Sequence, residues 1–229
     1  MNKIITLTSD KSKAYTKLMF NGIQVNSELG ALNELCLEQI FDLYDHCDEK
    51  FSNVMAVHFS VKMISNCDVE QTKAIKAFFY SLRSQVIRYI KEQQLGPRDI
   101  YLFGAKSLSK GQAGSKTKRY KLTLMVNPRL FIRKTGNRTK DTATGLSKLK
   151  GMIGYCWSRA LQLPKTDYSL VTHPNGNVQF LNRDIDSYPH RLRQLKFELS
   201  ELALQPTPGM SKANGLCVLF HGVCANKKK

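Results

Sequence analysis

Apolar residues recur along this chain with two different periods, and the change from one to the other lays out the elements. Met55, Val57, Phe59, Val61 and Met63 alternate with Ala56, His58, Ser60 and Lys62. That period of two predicts a strand with one face in a core and the other small and polar. Residues 119 to 127 repeat the pattern: Tyr120, Leu122, Leu124 and Val126 share one face, and Arg119, Lys121, Thr123 and Met125 the other. Between these strands the period becomes helical. Val69, Ile75, Phe79, Leu82, Val86 and Ile90 fall inward after Asp68, and Gly96 with Pro97 forms the stop. A short strand from Ile100 to Phe103 then reads as the first arm of a hairpin whose second arm begins at Arg119.

The flanking regions extend this layout. Ala31 to Phe51 carries a helical face of Leu32, Leu35, Cys36, Ile40, Leu43, Tyr44 and Cys47, with an acidic outer side (Glu34, Glu38, Asp42, Asp45) expected to face water. A helix from Gly145 to Leu161 turns Leu146, Leu149, Ile153, Trp157, Ala160 and Leu161 to one side, which assigns Trp157 to a core rather than to base stacking. Tyr168 to Thr172 and Val178 to Leu181 read as short strands around the turn sequence His173 to Asn177. The last helix, Asp186 to Leu204, buries Leu192, Leu195, Leu199 and Leu202. Residues 1 to 30 hold no strong element, and 205 to 229 read as a solvated tail. The expected fold class is α+β: one domain over 31 to 204, a central antiparallel sheet with helices packed on one face, preceded by an N-terminal helix.

Charge changes the picture. The formal net charge is +17 and the pI about 9.7. Residues 101 to 150 hold thirteen Lys/Arg against one acid, Asp141. The excess is therefore local and surrounds the strand from Arg119. A clustered basic surface suits a polyanion, most often nucleic acid, because each neutralised phosphate releases condensed counterions. The expected contacts are Arg119 and Lys121 on the strand, Lys106, Lys110, Lys116 and Lys118 on the preceding loop, and Arg133 and Lys134 beyond it. An acidic protein surface is the other partner class that such charge fits.

Other chemistry is excluded or thin. Gly111 to Thr117 superficially resembles a phosphate-binding loop, but Ser115 separates Gly114 from Lys116, and the segment leads into a strand rather than a helix N-terminus. No apolar run reaches the roughly 18 residues of a membrane span, and the N-terminus lacks a long apolar stretch of the secretory kind. Of the six cysteines, Cys36, Cys47 and Cys156 fall on apolar helix faces, as free thiols in a reducing bacterial cytoplasm would. Cys217, His221 and Cys224 could offer three zinc ligands, but a fourth is missing and their spacing fits no common finger. No metal or cofactor is expected.

Four strings carry a family resemblance: Val57-His-Phe-Ser-Val61, Arg119-Tyr-Lys-Leu-Thr-Leu-Met-Val-Asn127, Cys156-Trp-Ser-Arg-Ala-Leu161 and Ser200-Glu-Leu-Ala-Leu204. In this order they resemble the YagK/YfjJ-type family of mobile-element proteins, which includes inovirus replication proteins and looks like the HUH endonucleases that start rolling-circle replication. The resemblance implies a Rep-like sheet. It further implies a reaction in which two histidines on one strand hold a divalent metal and a tyrosine attacks the polarised phosphate.

This chain departs from that pattern at each chemical position. The two metal positions are Arg119 and Lys121, neither of which has a lone pair to give. Two cations about 7 Å apart also repel a divalent ion. The nucleophile position is Glu201, and the companion lysine position is Leu204. A displaced site would have to be assembled from His58, Ser60, His173, Asp184, Asp186 and Tyr188. The reading is a scaffold without nicking activity that binds DNA or another polyanion. The alternative is a structural or interaction protein of a phage or satellite that uses the same fold to bind a phage or host protein.

Overall fold

The computed structural model describes residues 3–7, 14–28, 30–50, 52–64, 70–95, 98–105, 119–132, 138–174, 178–204 and 217–224. Its centre is an antiparallel sheet of seven strands. In chain order these are β1 (Lys3–Leu7), β6 (Asn53–Lys62), β7 (Arg98–Ala105), β8 (Arg119–Val126), β9 (Val171–Thr172), β10 (Val178–Asn182) and β11 (Cys217–Cys224). They lie in the order β1-β11-β7-β8-β6-β10, and β9 pairs further along the same edge of β6 as β10. The expected hairpin is present, with Ile100 opposite Val126 and Ala105 opposite Lys121. Four short strands, β2 (Ala14–Tyr15), β3 (Met19–Phe20), β4 (Ile23–Gln24) and β5 (Leu32–Asn33), form two separate ribbons. Asn21 and Gly22 join β3 to β4 with φ of 48° and 75°, the doubly left-handed turn that suits the twist of a tight hairpin.

The architecture is α+β with an antiparallel sheet, as the apolar pattern predicts, but the helices pack on both faces of the sheet. Helices α2 (Gln71–Glu92) and α3 (Arg138–Ala160) cover one face. There Val57, Phe59, Val61, Tyr120, Leu122 and Leu124 meet Phe78, Phe79, Leu82, Ile153 and Trp157 in one buried cluster. Trp157 is fully buried, and its indole N–H donates to the Lys62 carbonyl at 2.8 Å. Helices α1 (Glu34–Lys50) and α4 (Tyr188–Ser200) cover part of the opposite face, where Val54, Ala56, Met125 and Leu181 meet Leu37, Ile40, Tyr44, Leu195 and Leu199. The reason lies in the strands: the nominally polar face is apolar at one end, through Val54, Ala56 and Met125, and polar only at the other. An apolar sheet surface of that size needs a cover.

Other differences are local. Helix α3 begins seven residues before Gly145, so that glycine lies inside the helix rather than at its start. A Cβ there would sit 2.1 Å from the Phe131 carbonyl oxygen; the glycine permits close packing against the turn Pro128–Leu130 and Phe131. In α1 the buried stripe is Cys36, Leu37, Ile40, Phe41, Tyr44 and Cys47, with Leu35 exposed. The last helix ends at Ser200, and a 3-10 turn, Glu201–Ala203, follows. Strand β11 falls in the stretch that reads as a tail, and β1 in the stretch that reads as patternless. Cys36, Cys47 and Cys156 are buried, and none of them is in a disulfide. Among the described residues no helix is long and apolar enough to cross a membrane.

Candidate nucleic-acid interface

The cover supplied by α1 and α4 thins along β8. On the face turned toward those helices Met125 is 0% exposed and Thr123 2%, whereas the Lys121 side chain is 48% exposed and Arg119 lies open. Strand register sets the neighbours. Thr123 is opposite His58, Lys121 opposite Ser60 and Arg119 opposite Lys62, so these six side chains share one face. The chain also leaves β7 at Ala105 and re-enters the sheet at Arg119 at this open end, since Ala105 pairs with Lys121.

Two carboxylates reach this strip from α4 and the turn after it. Lys121 Nζ donates to Glu201 Oε2 at 2.9 Å. The other Glu201 oxygen accepts from Asn26 Nδ2 at 2.8 Å, and the Asn26 backbone N–H donates to Ser200 Oγ, also at 2.8 Å. Glu198, one turn earlier, accepts from Gln179 and Gln194 and stands 3.4 Å from His58 Nε2. His58 Nδ1 lies 2.9 Å from Thr123 Oγ1. Burial holds the His58 imidazole below its ordinary pKa; Glu198 and Glu201 oppose that shift, and Lys121 adds to it. His58 is thus tied along the sheet to Thr123 through Nδ1 and faces Glu198 through Nε2.

Of the residues named for a displaced site, His58 and Ser60 share the strip, and His173, Asp184, Asp186 and Tyr188 lie apart from it. His173 packs its ring against Phe59 on the face covered by α2 and α3, across the sheet from His58. Tyr188 bonds Asp48, which also pairs with Arg183. Asp184 and Asp186 are exposed. Tyr120, flanked by Arg119 and Lys121, points into the core beside Trp157, and burial raises its phenol well above the usual range. The donor set at the strip does not fit a divalent cation: one position is a guanidinium, and the other an ammonium already bound to the nearest carboxylate.

Lys106, Lys110, Lys116, Lys118, Arg133 and Lys134 lie outside the described residues. For Cys217, His221 and Cys224 only the backbone of β11 is described, and it places them on an interior strand between β1 and β7. Glu198, Asn26, Gln179 and Lys62 belong to the strip and were not anticipated. Glu198 was findable, because it precedes Glu201 by three residues and so shares its helix face. Asn26 and Gln179 arrive through tertiary packing.

Fold and strip together define a helix-sheet-helix sandwich with one uncovered, charged sheet end. The YagK/YfjJ C-terminal domain matches residues 15–214, and the chain belongs to that family. No curated protein and no solved structure matches it.

Proposed function

We propose that this chain is a Rep-like protein of a mobile genetic element that binds DNA through the uncovered end of its sheet and does not nick it. The observation that carries this reading is the Lys121–Glu201 ion pair. The residue at the second metal position and the residue at the nucleophile position meet, and they neutralise each other. A carboxylate in place of the tyrosine cannot form the phosphotyrosine link, and a lysine bound to it holds no metal. Arg119 and Lys62 on the same strip, with the lysine-rich stretch that joins β7 to β8, supply cations for phosphates.

A mobility-shift assay with single-stranded and duplex DNA at several salt concentrations tests the binding. Binding that weakens with salt and weakens further in Arg119→Ala with Lys121→Ala is expected; absence of binding at low salt overturns the reading. Incubation with supercoiled DNA and Mn²⁺ is expected to leave it intact, and cleavage abolished by a chelator contradicts the loss of activity. If a protein partner stays bound through nuclease treatment during purification while DNA binding is absent, the interaction-protein reading replaces this one.

A further inference from the structure

Helix α1 and the α2–α3 layer on the other side of the sheet are opposite in charge. Helix α1 carries Glu34, Glu38, Asp42, Asp45, Asp48 and Glu49. On the other side of the sheet α2 carries Lys73, Lys76, Arg83, Arg88 and Lys91 against Glu92 alone. From Thr142 onward α3 has Lys148, Lys150 and Arg159 and no acid. This second basic surface is separated from the Lys121 strip by the full thickness of the sheet.

Helices α2 and α3 run antiparallel, with Phe78 against Trp157 and Tyr89 under Lys148. Between them lies a groove of about 290 Å³ lined by Tyr80, Ser81, Ser84, Gln85, Arg88 and Arg159. Arg88 from α2 and Arg159 from α3 both line it, one from each wall. Among the described residues no carboxylate lies within ion-pair distance of Arg88 or Arg159. Tyr80 is 53% exposed and Tyr155 36%, and the Arg159 guanidinium lies 5.8 Å from the Tyr155 ring centre. Arginines beside exposed aromatic rings, with hydroxyl and amide donors on the floor, match what a flexible phosphate backbone with splayed bases requires.

We infer that the α2–α3 groove is a second binding site for single-stranded nucleic acid, its phosphates held by Arg88 and Arg159 and a base stacked on Tyr80. Duplex is a poorer occupant, because a groove between two helices admits one backbone and stacking needs unpaired bases. The site is separate from the sheet strip, so the protein can hold two stretches of strand on opposite faces.

The test is fluorescence anisotropy with a labelled mixed-sequence single-stranded oligodeoxynucleotide, comparing the full chain with Arg88→Glu/Arg159→Glu and with Tyr80→Ala. All three positions are exposed or line an open groove, and matched thermal melts check the fold. The charge reversal is expected to weaken binding about a hundredfold and to flatten the salt dependence by about 0.7 for each lost phosphate contact. Tyr80→Ala is expected to weaken it about tenfold. Arg119→Ala/Lys121→Ala serves as the companion. If the companion abolishes binding and the groove variants leave it unchanged, the groove site is overturned and the sheet reading stands. If the reverse holds, the groove stands and the sheet reading falls. Equal loss for a duplex probe in the groove variants, or groove variants that lose only an acidic protein partner, overturns the assignment to single strands.

Discussion

The α2–α3 layer and the α1–α4 layer sit on the same sheet yet do different work. The first buries its face of the sheet from Met55 through Met63 and from Tyr120 through Val126, with aromatic rings at the centre. The second covers only the end bearing Val54, Ala56 and Met125 and then gives way to His58, Lys121 and Arg119. One layer is a seal; the other is a seal with an edge. Polar side chains on a sheet face are tolerable where a partial cover supplies hydrogen-bond partners, and Glu198 and Glu201 occupy that boundary. The candidate site is therefore a consequence of where the helical cover stops.

That contrast can be broken most severely from the sealed side. Trp157→Ala removes a fully buried ring together with the hydrogen bond to the Lys62 carbonyl, at the back of the strand end that carries the strip. It is expected to cost about 3–5 kcal/mol, read by chemical denaturation. A loss below about 1 kcal/mol would show that the seal does not depend on this ring.

A smaller effect is expected from the partial layer. Lys196 is 7% exposed, donates to Asp45 at 2.5 Å and lies 5.3 and 5.2 Å from the ring centres of Phe41 and Tyr44. It clamps α4 to α1. Lys196→Ala is expected to cost about 1–2 kcal/mol through lost stem packing and cation–π contact, less than the Trp157 change. If it costs more, the clamp rather than the apolar stripe holds the partial cover in place.

The smallest effect concerns His58 at the boundary. Its folded pKa lies below the ordinary 6.5 because burial disfavours the imidazolium. The unfolded chain therefore takes up the proton first, and the folded state loses stability as pH falls below 6.5 toward the folded pKa. An NMR titration is expected to place the His58 midpoint below 6.5, and His58→Gln is expected to flatten the acid-side decline in melting temperature. A midpoint at or above 6.5 would mean that Glu198 and Glu201 outweigh burial.

How much of this was legible in the sequence depends on how each residue is positioned. Strands β6 and β8, helix α2 and the core place of Trp157 follow from periodicity, since the signal is repeated over many residues. The second helical cover did not, because Ala56 and Met125 look neutral on a face otherwise polar. Strand β11 was missed because Val218, Leu219 and Phe220 form a continuous apolar run without alternation, as expected for a strand inside a sheet. Asn21-Gly22 between Phe20 and Ile23 was a readable hairpin signal that the polar surroundings concealed. At the site, Lys121 and Glu201 were each marked by position in the family pattern, but eighty residues separate them, and only the packing of α4 beside β10 and β6 joins them. Asn26, which holds the second Glu201 oxygen, belongs to a stretch with no pattern at all.

The most direct measurement is the affinity of the full chain for single-stranded DNA before and after Glu201→Gln. The amide removes the charge that neutralises Lys121 and, with one acceptor oxygen in place of two, keeps one of the hydrogen bonds from Asn26 and Lys121 and releases the other. If the strip is a phosphate contact, Glu201→Gln binds more tightly and steepens the salt dependence by about 0.7, the equivalent of one added contact on a single strand. Unchanged affinity and slope would show that Lys121 and Glu201 form a structural pair away from any nucleic acid.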